Sequence, residues 1–422
     1  MYAFEEVEAD APAFRAAFAR AEPFRPLYVK IKLIFGCNLR CRMCHHWRGA
    51  RPGQLSTARL KDVLGELAEL GCRKVHFTGG EPSLRPDLEE LVVHVAVHGL
   101  RVTLTTNATR LTRERARALV EGGLRGVNVS IDGPDALVHD DVRGVPGAWE
   151  QAVLGLKNLR KEARHGKLGL SLNTVVNRLN LMRLDEMPSL ALRCGVQRLR
   201  LLPVDDHAGE ALRPTPDAIA AFNRDVAPHL ARRALRAGLL ESEDDAYPFG
   251  RETTARAEGA RGLYAFGYYR RRPCFAPHTH ALIDHDGRVF TCCMQRGAPL
   301  LGDLRTHSFA QIWHGEAYRS VRALMRGGER LTACARCDDF IDENRRLHAI
   351  LVRPENRPRE SAVGELGGAH ARAAARSSCA ASAWRRRTAP PSLDEASLSP
   401  GTASRPAPRI ALRGEAVQEE RA

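Results

Sequence analysis

The chain has 422 residues, a net charge of +14 and an apolar fraction of 44%, enough for one large core plus a smaller module and in the range of a soluble globular protein. The best membrane-span candidate, 91–104, falls short of the roughly 18 uncharged apolar residues required, being broken by His94, His98, Gly99 and Arg101. The start, Met1-Tyr-Ala-Phe-Glu-Glu-Val-Glu, is acidic where a signal peptide is basic and then apolar. These features argue against a membrane or secreted protein and point to the cytoplasm. Arginine carries nearly all the positive charge and is scattered over every segment, which reads as compositional bias rather than a nucleic-acid footprint. The 11 cysteines fall mostly into short-spaced groups, and in a reducing compartment such groups point to metal.

Residues 1–27 form a lead-in with one expected helix, Ala11 to Arg20. Val29 to Phe35 then reads as a strand, and Leu60, Val63, Leu64, Leu67 and Leu70 recur at helical spacing behind the N-cap candidate Ser56. Strands are expected again at Lys74 to Phe77, Arg101 to Thr105, Gly126 to Ile131, Gly169 to Val175 and Gln197 to Pro203. Helices between them are expected from Pro86 to Gly99, Thr112 to Glu121, Ala148 to Ala163 and Leu181 to Cys194. Six alternating units of this length require parallel pairing with right-handed crossovers, so 28–204 should be an α/β fold, a partial (β/α)6 TIM-like barrel. A connecting region, 205–272, contains an expected helix from Asp217 to Ala237 and an irregular stretch from Glu241 to Arg272. A small cysteine-rich hairpin-plus-helix module occupies 273–345, and a Pro/Ser/Ala-rich disordered tail is expected over 350–422.

Chemistry belongs at the C-terminal ends of barrel strands. Cys37, Cys41 and Cys44 lie just past the first strand at x3 and x2 spacing. Three thiolates on one loop can hold three irons of a four-iron cluster and leave the fourth open, or hold zinc with His45 or His46 as the fourth ligand. The second strand ends in Thr78-Gly79-Gly80-Glu81-Pro82, the third in Thr105-Thr106-Asn107 and the fourth in Ser130-Ile-Asp132-Gly133. Arg143-Gly-Val-Pro-Gly147 precedes the next helix. The sixth strand ends in Pro203-Val-Asp205-Asp206-His207, where a general base would stand, although an ordinary polar loop is the favoured reading.

The cysteine spacing followed by the GGE stretch resembles the radical S-adenosylmethionine (radical SAM) superfamily. The resemblance implies an open SAM-binding 4Fe–4S cluster on Cys37, Cys41 and Cys44. It also implies contacts to SAM from Gly79, Gly80, Glu81, Asn107, Ser130, Asp132, Arg143 and Asn173, with Asn177 as a further candidate. The family's aromatic residue before the third cysteine is replaced here by Met43, which can cover an adenine as a polarisable apolar group.

From Pro273 the pattern changes. Asp286-Gly287 between two short apolar runs signals a two-residue hairpin carrying Cys292 and Cys293 on its returning strand. A helix from Phe309 to Met325 follows, then Cys334-Ala-Arg-Cys337. The segment resembles the shortened, "twitch" form of the SPASM auxiliary-cluster domain, through Cys274, Cys292, Cys334 and Cys337 with Leu301-Gly-Asp-Leu304 and Gln311-Ile-Trp313. That implies an auxiliary 4Fe–4S cluster, with Cys293 left out; a zinc ribbon is the competing reading.

The resemblance implies reductive cleavage of SAM to methionine and a 5′-deoxyadenosyl radical that abstracts a hydrogen atom from substrate, with flavodoxin or ferredoxin as electron donor. The first expectation for the substrate is a polar natural-product precursor, a sugar or aminocyclitol undergoing oxidation or rearrangement. The alternative is a ribosomally made peptide receiving thioether or carbon–carbon crosslinks, weakened by the apparent lack of an N-terminal leader-binding domain. A non-catalytic zinc or redox-switch protein is the rival from another class.

Overall fold

The computed structural model describes residues 4–352 apart from 50, 52, 164–167, 206–210, 296–298 and 330. The tail expected from 350 onward therefore lies outside the described residues except for 350–352, which close a helix, Ile341–Val352.

Six parallel strands, β1 (Tyr28–Lys32), β2 (Lys74–Thr78), β3 (Arg101–Thr106), β4 (Gly126–Ser130), β5 (Gly169–Val176) and β6 (Arg198–Pro203), lie side by side in chain order. This is the partial TIM-like arrangement expected from the alternation. The sheet continues beyond β1. β7 (His280–Ile283) pairs parallel to it, with Tyr28 opposite His280 and Ile31 opposite Ile283. β8 (Arg288–Phe290) and β9 (Gly302–Asp303) follow antiparallel, so the cysteine-rich module shares one nine-stranded sheet with the barrel.

Side chains alternate along each strand, and the two faces differ sharply. Val29, Ile31, Val75, Phe77, Val102, Leu104, Val127, Val129, Leu170 and Leu172 are buried in the hydrophobic core, each contributing about 1.5–3 kcal/mol. Their neighbours Lys30, His76, Thr103, Asn128, Ser171 and Asn173 line a cavity of about 670 Å³ in the lumen. Gly126 and Gly169, in register with each other, present no side chain to it.

Several elements depart from expectation for local reasons. The helix expected over 217–237 is two, Pro216–Asp225 and Ala227–Arg236, because Pro228 supplies no N–H to continue the first. The one expected over 309–325 is also two, Phe309–Trp313 and Glu316–Arg326, interrupted at Gly315. An additional helix, Ala136–Arg143, is capped by the Asp135 carboxylate, which accepts from Val138 N at 3.1 Å. The hairpin loop has three residues rather than two. Gly287 N donates to Asp284 O at 3.0 Å, Asp284 N to Arg288 O at 2.8 Å, and Gly287 takes φ +86°, a turn closed by a left-handed glycine. No described helix is long and apolar enough to cross a membrane.

Candidate active site

The loop after β1 is held against the ends of the next strands through its backbone. Gly80 N donates to Ile34 O at 2.8 Å and Glu81 N to Gly36 O at 2.9 Å. A Cβ on Gly80 would lie 2.0 Å from Gly36 O, and one on Gly79, at φ +146°, 2.4 Å from Ile34 O. The two glycines thus let the second strand end dock directly on the stretch before Cys37. The buried Glu81 carboxylate ties this point to β3, accepting from Ser83 N at 3.0 Å, Thr106 Oγ1 at 2.6 Å and Asn107 N at 2.7 Å. Asn107 Nδ2 in turn reaches Asn38 Oδ1 at 2.9 Å and Cys37 Sγ at 3.9 Å.

The other side of the loop rests on the helix ending at Arg143. Arg40 N and Arg42 N donate to Arg143 O and Val142 O, both at 3.0 Å. Arg143 Nη1 lies 3.6 Å from Cys41 Sγ, and its Nε pairs at 2.7 Å with the fully buried Asp132. Asp132 Oδ1 also accepts from Val175 N at 2.8 Å. Burial raises the Asp132 carboxyl, with Arg143 opposing. Asp132 and Arg143 thus form an internal pair beside the loop. Met43 is buried in a small apolar cluster with Leu39, Val142, Ala148, Val204 and Leu212.

Ser130 and Asn173 are partners in register on β4 and β5. Asn173 lines the lumen, and its buried Oδ1 has no hydrogen-bond partner among the described residues. Asn177 is taken up by the turn after β5, donating to Val175 O at 3.0 Å and accepting from Leu179 N at 2.9 Å. Asp205 lines the cavity and is paired with Arg336 at 2.6 Å. Asp206 and His207 lie outside the described residues.

The second cysteine group comes from three stretches. Cys292, Cys334 and Cys337 are buried, and Cys274 is half-buried. Tyr269 and Asn344 bridge them: Tyr269 Oη is 3.8 Å from Cys337 Sγ, and Asn344 Nδ2 donates to Tyr269 Oη at 2.9 Å and lies 3.7 Å from Cys274 Sγ. Gln295 Nε2 lies 4.0 Å from Cys334 Sγ. Cys292 and Cys293 follow β8 rather than lying on it. Cys293 faces the lumen, 3.5 Å from Asp339 Oδ2 and 3.9 Å from Lys30 Nζ, which themselves pair at 3.0 Å. Sequence reasoning missed Lys30, His76, Arg200 and Asp339; the first three alternate with apolar residues on β1, β2 and β6, and Asp339, outside any strand, carries no such pattern.

The donor sets suit iron–sulfur clusters. Burial pushes the Cys37 and Cys274 thiols up to about 11, and Cys292 and Cys337 well above the ordinary thiol value. Neighbouring thiols raise them further, so crowded sulfurs in apolar surroundings keep their protons until a cationic cluster displaces them.

Residues 31–187 match the Radical SAM superfamily and residues 274–338 match SPASM, an iron-sulfur cluster-binding domain. The mycofactocin maturase MftC of Mycobacterium tuberculosis is 37% identical over 197 residues, 46% of this chain and 49% of the relative. The PqqA peptide cyclase of Rhodopseudomonas palustris is 38% identical over 190 residues, 44% of this chain and 49% of the relative. The chain thus spans about half the length of these two. An AdoMet-dependent heme synthase of Oleidesulfovibrio alaskensis is 39% identical over 308 residues, 67% of this chain and 73% of the relative. Streptococcus suis SuiB bound to S-adenosylmethionine shares the fold, with a TM-score of 0.57 and 16% identity over 79% of this chain and 77% of that one. The two domains make 4Fe–4S clusters and SAM the cofactors, in place of zinc. The chain belongs to the radical SAM superfamily of enzymes and carries a SPASM iron–sulfur domain.

Proposed function

We propose that this chain is a radical SAM enzyme that modifies a peptide, and that Cys37, Cys41 and Cys44 hold the SAM-binding cluster while Cys274, Cys292, Cys334 and Cys337 hold an auxiliary one. The observation that carries the peptide reading is the 38% identity to a protein named as a peptide cyclase. None of the relatives named above speaks for the sugar or aminocyclitol expected first. When bound, the first cluster and SAM supply a radical able to take a hydrogen atom from substrate.

The chain's own residues position and shield that chemistry. The Gly79–Gly80 docking and the Glu81 carboxylate fix the cysteine loop over the strand ends. Asn173 Oδ1 offers an open acceptor inside the lumen, and Gly79, Gly80, Glu81, Asn107, Ser130 and Met43 are the further proposed contacts to SAM. Asp205 stays the candidate base, governed by its pair with Arg336. A flavodoxin- or ferredoxin-type donor in the cytoplasm would suit the ten described cysteines, all of which are free thiols.

A second reading, a heme precursor as substrate, follows from the heme synthase relative, 73% of whose length is covered. The test is anaerobic incubation of reconstituted enzyme with SAM, dithionite and, in turn, peptides encoded beside the gene, an aminocyclitol and a heme precursor. The expected result is a mass change in one peptide with matching 5′-deoxyadenosine. Turnover of the aminocyclitol or the heme precursor with every such peptide unchanged would overturn the reading.

A further inference from the structure

The floor of the barrel carries charge that none of the residues above uses. Lys74 opens β2 and Arg101 opens β3, directly opposite each other in the parallel register, and Arg200 lies on β6. All three line the 670 Å³ cavity. Of the other charges there, Lys30 pairs with Asp339 at 3.0 Å, Asp205 with Arg336 at 2.6 Å and Arg198 with Glu241, while burial and the neighbouring Asp339 push the Asp338 carboxyl up to about 7. Lys74, Arg101 and Arg200 form no ion pair among the described residues.

Like charges placed opposite on neighbouring strands destabilise a sheet. Burial and the neighbouring Arg101 pull the Lys74 ammonium down to about 8, and its partial compensation is the Tyr28 ring, 4.4 Å from Nζ. A fold that keeps unpaired cations around a cavity has stability to gain from an anion bound there. The floor lies four residues below the end of β2, roughly 13 Å at the rise of a strand. A group held at the floor therefore anchors a substrate without itself meeting the chemistry at the strand ends.

Resting on the peptide reading above, we propose that Lys74, Arg101 and Arg200 form an anion subsite that holds a carboxylate of the substrate peptide, a side-chain or C-terminal one.

The probe is glutarate, titrated into the reconstituted full chain by calorimetry, with glutaramide as its neutral counterpart and inorganic phosphate as a competing anion. Glutarate is expected to bind at least tenfold more tightly than glutaramide and no more weakly than phosphate. Lys74→Gln and Arg200→Gln should each weaken glutarate at least tenfold. Because Lys74→Gln also removes like-charge repulsion, its ligand-free melting temperature should rise by about 1–2 °C, the opposite of a folding defect. Equal binding of glutarate and glutaramide, preference for phosphate, or unchanged glutarate binding in both variants would overturn the proposal. Glutarate binding that follows the expected pattern while encoded peptides stay unmodified would support the subsite and defeat the peptide reading alone.

Discussion

The two cysteine groups are built in opposite ways. Cys37, Cys41 and Cys44 come from eight consecutive residues, pinned by backbone hydrogen bonds from 80–81 to the lead-in 34–36 on one side and from the loop to 142–143 on the other. Cys274, Cys292, Cys334 and Cys337 come from three stretches separated by up to 41 residues, and neutral donors, Tyr269, Asn344 and Gln295, surround them. The first group has an arginine beside it, balanced by a buried aspartate. A cluster on the first loop would add little to chain connectivity, whereas one on the second group would close long loops and contribute stability. On the proposed assignment, the first group serves chemistry and the second also holds the fold together.

The largest expected effect is at Gly80. Gly80→Ala places a methyl 2.0 Å from the Gly36 carbonyl, so the cysteine loop must leave its docking site. SAM cleavage, read as 5′-deoxyadenosine, should fall at least about a hundredfold, with the iron of the first cluster lost and that of the second retained. Arg143→Met comes next. It strands a buried carboxylate and should lower stability by about 3–5 kcal/mol in denaturant unfolding. Adding Asp132→Asn should recover most of that loss; failure of the second change to do so would show that Arg143 acts through the loop alone.

Tyr269→Phe touches the second group. Losing one hydrogen bond near Cys337 should cost about 0.5–1.5 kcal/mol and lower the reduction potential of the auxiliary cluster, followed by redox titration with electron paramagnetic resonance. Acid tests the comparison without a mutation. Burial holds His139, His278 and His280 down at about 3, against 6.5 for the ordinary group. As pH falls below 6.5 the unfolded chain takes up these protons first, so the stability present above 6.5 is lost progressively toward 3. Two of the three lie in the C-terminal module, His278 between Cys274 and β7 and His280 opening β7, so hydrogen exchange there should rise before exchange around the first loop. Simultaneous loosening of both would contradict the difference between them.

The spacing of Cys37, Cys41 and Cys44 and the strand ends that follow were legible because each is a local pattern. The partial barrel was legible through the alternation of strands and helices. The internal pairing of Asp132 with Arg143 was not, since it depends on the unexpected helix Ala136–Arg143 turning its last side chain inward. Nor was the hollow lumen: Lys30, His76 and Arg200 occupy alternate strand positions that, in sequence, look the same as positions facing water. The position of Cys293 beside Lys30 and Asp339 follows from β7 pairing with β1, a contact across some 250 residues that no local pattern announces.

The division of labour between the two groups is tested most directly by paired variants reconstituted anaerobically, Cys37→Ala/Cys41→Ala/Cys44→Ala and Cys274→Ala/Cys292→Ala/Cys334→Ala/Cys337→Ala, each assayed for bound iron and for 5′-deoxyadenosine formed from SAM and dithionite. The expected result is about four irons in each variant against about eight in the parent. Formation of 5′-deoxyadenosine should be abolished in the first variant and persist in the second. Persistent SAM cleavage without Cys37, Cys41 and Cys44, or zinc in place of iron at either group, would contradict the account.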